Sequence, residues 1–229
     1  MHQLINKNKI YFYLTLLILL TSITNENFSK IFKNYFKVNN IIIETPLPEI
    51  KSKIFLNTKY LLTKNIFFIN KKELTNSIKK LNFLEEIHIK KKFPSTLIVK
   101  ASVTNLLAET YRNQEKYFLG SNKEFIESKH IESNRNLPII FGNFEISDYF
   151  DIKSKIHKQN FNEVQILKYY FHKNKRWDLH FQNNIVIKLP NKNINDTLNA
   201  FKKFKKFNDI KPNTVIDLRI PNRIIIKSG

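Results

Sequence analysis

The sequence predicts an α+β chain with one N-terminal apolar helix, then a β-α-α-β-β unit, then a mostly antiparallel β region with flanking helices. Three observations carry this reading. A single long uncharged run stands near the N-terminus, at residues 10–23. Residues 38–104 switch between helical and strand periodicity, and beyond residue 106 short apolar stretches separated by polar turns predominate.

The uncharged run, IYFYLTLLILLTSI, would reach about 21 Å as a helix, short of the roughly 30 Å hydrocarbon core of a bilayer. A transmembrane helix over residues 10–24 therefore borrows Thr24 and lets Lys9 snorkel. Length alone favours a signal-peptide core. Residues 21–25, TSITN, however, offer no small-residue cleavage site, so the run reads as an uncleaved anchor between a tail at 1–9 and a linker at 25–37. In the linker Phe28, Ile31, Phe32, Tyr35 and Phe36 recur at helical spacing, which fits an amphipathic juxtamembrane helix or a plain connecting helix. Lys7 and Lys9 on one side are balanced by Lys30, Lys33 and Lys37 on the other, so charge counting leaves the orientation open.

About 205 of the 229 residues follow the anchor, enough for two modest domains. The chain has no cysteine, which excludes disulfides and thiolate chemistry and is compatible with an exported domain. Its net charge of +20 invites a nucleic-acid reading. Lysine is spread along the chain, with abundant asparagine and isoleucine and only three glycines, so the charge reflects residue usage more than a binding stripe. Specific nucleic-acid binding is not expected.

A β-branched run at 38–44 ends at Thr45-Pro46-Leu47-Pro48 and reads as one strand. Ile50, Ile54, Leu61 and Leu62 suggest a helix interrupted near Asn57. The next helix is better defined: Asn70 can cap it, Glu73 follows three residues later, and Leu74, Ile78 and Leu81 form one stripe. Ile87, Ile89 and Phe93, then Leu97, Val99, Ala101 and Val103, alternate across a Pro94-Ser95 turn as a strand pair. Further strands are read at 117–119, 125–126, 137–142, 164–171, 177–181, 185–189, 215–220 and 223–227, with helices at 147–158 and 194–204. Asn183-Asn184 supplies a hairpin turn, since asparagine tolerates positive φ.

No catalytic, metal-binding or cofactor-binding residue is assigned. The histidines at 2, 88, 130, 157, 172 and 180 show no ligand spacing, and neither a nucleophile elbow nor a phosphate-binding glycine loop occurs. Phe201 and Phe204 in FKKFKKF read as a buried helix stripe with solvated lysines, and Lys90-Lys91-Lys92 as a strand-end guard against aggregation. Trp177 alternates with Leu179 and points inward, leaving Arg176 outside and available to a partner. Arg223, Ile224, Ile225, Ile226 and Lys227 come last before Ser228 and Gly229, so this strand is expected at a sheet edge, where unpaired N–H and C=O groups can take a partner strand.

Several local patterns together resemble the FtsQ/DivIB family of bacterial cell-division proteins. They are Phe93-Pro94-Ser95-Thr96-Leu97, Leu137-Pro138 with Gly142, Arg176-Trp177 with Leu179, and Asp217-Leu218-Arg219 before the last strand. Val103, Leu106 and Pro190 depart from the residues usual in that family. The resemblance implies a bitopic, non-enzymatic protein of the cell inner membrane with a cytoplasmic N-terminus. It also implies a POTRA domain at 38–105 and a periplasmic C-terminal β domain at 106–229. Such a protein would act at the division septum as a scaffold of the divisome, binding FtsB- and FtsL-type partners and helping recruit septal synthase components. Partner pairing would run through the terminal strand. The alternative is a POTRA-bearing export or outer-membrane assembly factor that binds unfolded clients along a sheet edge. That reading expects repeated units or a C-terminal barrel, and the sequence has neither.

Overall fold

The computed structural model describes residues 7–23, 26–131, 133, 135–159, 166–207 and 210–228. The chain divides into two compact units, Met1–Val103 and Thr104–Gly229.

The first unit begins with α1 (Lys7–Ile23) and α2 (Glu26–Tyr35). Helix α1 has 17 residues, about 25 Å at the α-helical rise. Among the described residues no helix is long and apolar enough to cross a membrane. Its apolar side chains nevertheless stand exposed on every side, Tyr11 and Leu17 by 67% and 62%. Residues 24 and 25 of the expected anchor and linker, and most of the tail, lie outside the described residues.

Strand β1 (Asn40–Glu44), helices α3 (Pro48–Thr58) and α4 (Lys71–Lys79), and strands β2 (Leu84–Lys92) and β3 (Thr96–Val103) complete this unit. Pro48 starts α3, where its fixed φ suits the first turn. Thr58 closes that helix by donating to Ile54 O at 3.0 Å, and 3-10 turns at Lys59–Thr63 and Ile66–Phe68 follow. At the start of α4, Asn70 accepts from Lys72 N and donates to Glu73 Oε1 at 2.9 Å, as the sequence spacing suggested. The sheet has the order β1-β3-β2, with β1 parallel and β2 antiparallel to β3. Central strand β3 buries Leu97, Val99 and Ala101 against Ile50 and Ile54 of α3 and Leu74 and Ile78 of α4 in the unit's core. Phe93, read as part of this alternation, is instead half exposed in the turn after β2.

In the second unit one mixed sheet takes the order β12-β11-β10-β9-β8-β7-β4-β5-β6. Its strands are β4 (Leu106–Arg112), β5 (Glu115–Gly120), β6 (Phe125–Glu127) and β7 (Ile139–Phe141). They continue with β8 (Ile166–Phe171), β9 (Trp177–Phe181), β10 (Val186–Lys188), β11 (Thr214–Asp217) and β12 (Ile225–Ser228). Val164, the expected start of β8, lies outside the described residues. Three of the junctions are parallel: β4 with β7, β7 with β8, and β10 with β11. Two of these are crossovers through helices α5 (Ile146–Lys158) and α6 (Ile194–Phe207), which a parallel pair requires. Tyr149, Ile152 and Ile156 of α5, and Leu198 and Phe201 of α6, join Trp177, Leu179, Ile187 and Ile216 of the sheet in one core. Both helices therefore cover the same face.

Asparagine does the work that glycine does in most chains. Among the described residues Asn113, Asn183, Asn184, Asn193, Asn213 and Asn222 hold positive φ, and their short side chains make this backbone region tolerable. Glycine is retained where asparagine would fail. Gly142 has φ +104° and packs so closely on β8 that an added Cβ would lie 2.1 Å from Phe171 O. At Gly120 the nearest atoms belong to the side chains of Asn122 and Thr104 and not to backbone, and its φ is not in the left-handed region. Gly142→Ala should therefore lower stability by roughly 2–4 kcal/mol, read as an earlier urea midpoint, and Gly120→Ala should cost less. Equal losses at the two positions would contradict this account.

Candidate partner-binding edge

Strand β12 is the terminal strand of the large sheet and, among the described residues, pairs with β11 alone. Its neighbour fixes which way its backbone groups point. Leu218 N donates to Lys188 O at 2.9 Å, so Leu218 and, by alternation, Ile216 turn their backbone groups toward β10. Val215 and Asp217 must then turn theirs toward β12, where they face Lys227 and Ile225. Lys227 and Ile225 bond inward. Ile226, between them, directs its N–H and C=O away from the sheet.

The side chains alternate as well. Ile226 stands opposite Ile216, which is fully buried, so it lies on the core face, yet it is 44% exposed. Beside it runs a groove of about 190 Å³ lined by Phe204, Ile210, Thr214, Ile216 and Ile226. Ile224, two residues earlier, packs against the core cluster and does not belong to the strand. Arg223 also precedes β12 and donates its N–H to Ile220 O at 3.2 Å, within the turn around Pro221 and Asn222. Strand pairing thus begins two residues later than the sequence suggested. A larger cleft of about 750 Å³ opens on this turn between Pro190, Asp196, Leu218, Ile220 and Arg223.

Just before the turn, Asp217 and Arg219 are bonded to each other. Arg219 Nε donates to Asp217 Oδ1 at 2.7 Å, its Nη2 donates to Oδ2, and its backbone N–H donates to Oδ1 at 3.0 Å. This fork holds the Asp217 carboxyl below the usual carboxylate range, against the opposing effect of burial. Sequence reading noted Asp217-Leu218-Arg219 as a pattern without assigning this role. Of the residues lining the groove, Phe204 reads in the sequence as part of a buried helix stripe, because periodicity cannot tell a covered core position from one at an open rim.

Arg176 is not brought to this edge. It lies in the turn between β8 and β9, with β10 and β11 between it and β12. Its Nε is enclosed without a hydrogen-bond partner, and Trp177 next to it is 3% exposed, facing inward as expected. Close by, His172 Nε2 lies 3.0 Å from Asp178 Oδ2. Burial pushes His180 below its ordinary value, although Asp178 opposes this. Among the described residues no cluster of His, Asp or Glu is placed to hold a metal.

Residues 110–219 match the family model described as Cell division protein FtsQ/DivIB, C-terminal. The match ends before β12. Cell division protein FtsQ of Rickettsia bellii is 27% identical over 204 residues, covering 84% of this chain and 72% of that protein. Its namesakes from Rickettsia prowazekii and Rickettsia conorii are 25% and 24% identical, covering 84% and 90% of this chain and 72% and 78% of theirs.

A carboxylate with a depressed folded-state pKa contributes stability that is present above its unfolded pKa and lost as pH falls through the folded one. Asp217→Asn should therefore lower the unfolding midpoint at neutral pH, and the gap to wild type should close only below the usual carboxylate range. Thermal melts across an acid series check this. A gap that persists unchanged at the acid end would remove the ion pair as its cause.

Proposed function

Because the chain belongs to the FtsQ/DivIB family of cell division proteins, we propose that it is a non-enzymatic, membrane-anchored scaffold of the divisome that links early division proteins to septal peptidoglycan synthesis. In this reading residues 10–24 anchor it in the inner membrane with the tail at 1–9 in the cytoplasm. Residues 38–105 form a POTRA domain and residues 106–229 a periplasmic β domain that binds FtsB- and FtsL-type partners.

The observation that carries the binding mode is the outward-facing backbone of Ile226 on an edge strand whose core face is open. A partner strand laid beside β12 would satisfy that N–H and C=O and cover the apolar rim at Phe204 and Ile226 with its own alternate side chains. Arg223 before the strand and Lys227 within it supply positive charge, which favours a partner segment bearing carboxylates. Arg176, distant in the sheet order and with its Nε enclosed, is assigned a packing role in this mode.

The anchor is supported by the chemistry of α1. A helix apolar on all sides and exposed on all sides is stable against lipid, not water. Its shortness is met by Thr24, by snorkelling of Lys7 and Lys9, and by modest local thinning of the bilayer.

Two outcomes test these statements. Carbonate should leave the chain in the membrane pellet, and protease added to spheroplasts should digest the large domain. Soluble release or full protection would refute the topology. For binding, Ile226→Pro removes an outward donor and should keep the circular dichroism spectrum while losing co-purification of the FtsB-type partner. Ile225→Pro removes a donor to β11 and should disturb fold and binding together. If Ile226→Pro still captures the partner, strand addition at β12 is not the mechanism.

A further inference from the structure

The first unit carries an aromatic surface that its core does not use. Phe32 of α2, Phe36 just after it, Phe67 in the turn Ile66–Phe68, and Phe93 after β2 form a continuous chain of ring contacts. Their centroids lie 4.6 Å apart for Phe32–Phe36, 5.8 Å for Phe32–Phe67, and 4.8 Å for both Phe36–Phe67 and Phe67–Phe93. Phe67 and Phe93 are about half exposed, and the neighbouring Phe68 is 82% exposed. Single exposed apolar residues are ordinary, but contiguous aromatic rings on a soluble face mark a surface that something covers.

Positive charge surrounds this surface. Lys91 Nζ donates to Phe67 O at 3.0 Å, which places its ammonium at the rim of the rings. Burial first, and then the charge of Lys71, lower its pKa. Two like charges are thus held together there, and among the described residues neither they nor Lys33 are in an ion pair. In the adjoining cleft with Phe68 and Lys64, Glu73 is the carboxylate, and it is bonded to Asn70. Aromatic rings bordered by uncompensated lysines match a headgroup layer, where rings enter the acyl boundary and ammonium groups meet phosphates.

The position in the chain points the same way. Helix α2 starts within three residues of the end of α1, carries Phe32, has Lys33 in its last turn, and is followed directly by Phe36. We propose that this phenylalanine and lysine face of the first unit rests on the anionic surface of the membrane, with Phe67, Phe68 and Phe93 entering the headgroup region and Lys33, Lys71 and Lys91 meeting lipid phosphates. This rests on the reading of α1 as an anchor, which brings the face to the bilayer. A docked face would hold the first unit against the membrane and restrict how the linker tilts.

The test uses the absence of cysteine, which makes any introduced thiol unique. The full chain with Phe68→Cys, bearing an environment-sensitive fluorophore, is reconstituted in vesicles of phosphatidylcholine with or without phosphatidylglycerol, each containing brominated acyl chains. A second label at Glu86→Cys, about 20 Å along β2 from the patch at the strand rise, serves as control. The Phe68 label should be quenched in phosphatidylglycerol vesicles, much less in phosphatidylcholine alone, and the Glu86 label in neither. Lys33→Gln and Lys71→Gln should each lower the docked-to-undocked ratio by roughly fivefold. Alkaline flotation scores the anchor separately, so a chain that floats with an unquenched Phe68 label overturns this proposal and leaves the anchor standing. A chain that fails to float overturns the anchor, and the label at neutral pH still reports whether the face binds anionic vesicles by itself. A blue-shifted emission that brominated lipid does not quench would mean that a protein covers the face, and would also overturn the proposal.

Discussion

Coverage is the constraint on which the second unit depends. Nine strands leave eight spacings of about 4.8 Å, so the sheet is about 38 Å wide, whereas two helices of about 10 Å each cover only about half of it. Both helices lie on one face because both crossovers pack back onto the same side, and so the ends of the sheet need other cover. At the β6 end cover is supplied. The Arg112 guanidinium stacks over Phe125 at 3.7 Å and donates to Phe144 O at 2.7 Å, closing the rim with a cation and a backbone bond. At the β12 end Phe204 reaches the rim, but Ile226 remains 44% exposed. The site follows from where the helices stop.

The parallel junctions explain why this geometry was only partly legible. Alternation identified most strands, and the 3.6-residue stripes placed α5 within one residue and α6 at its first turn. Periodicity reports which face of an element is apolar and is silent on which strand lies beside it. The region reads as mostly antiparallel, and five of its eight junctions are, but the parallel partners across a helix, β7 with β8 and β10 with β11, went unread. The available signal was a helix lying between two strands, the βαβ order, at 139–171 and 186–217. It was weak because β7 and β10 have only three residues each. Strands that short carry almost no alternation of their own.

The candidate edge was legible for a simple reason and misplaced for another. A β-branched run at the end of the sequence favours a strand, but residues 223 and 224 satisfy other demands first. Arg223 still closes the turn, and Ile224 is turned into the core. The Asp217 and Arg219 fork stands just before that turn, and no local propensity encodes it, since both residues are ordinary surface types. Arg176 lies apart from β12 because neighbourhood in the sheet depends on strand order. Alternation gave the direction of Trp177 correctly and could give nothing about distance from β12.

An open apolar edge is a hazard unless something discourages the wrong partner. Here the strongest wrong partner is another copy of the same strand, which offers an identical β-branched run. Pairing two copies would bring Arg223 and Lys227 of one chain beside the same cations of the other, on a chain that already carries +20. Like charges across a strand pair oppose association, while a partner segment with carboxylates near those positions gains where the copy loses. Lysine-rich composition, uninformative as a pointer to nucleic acid, thereby acquires a physical role at this strand. In the proposed binding mode it would leave the backbone of Ile226 open to a complementary chain and unfavourable to its own.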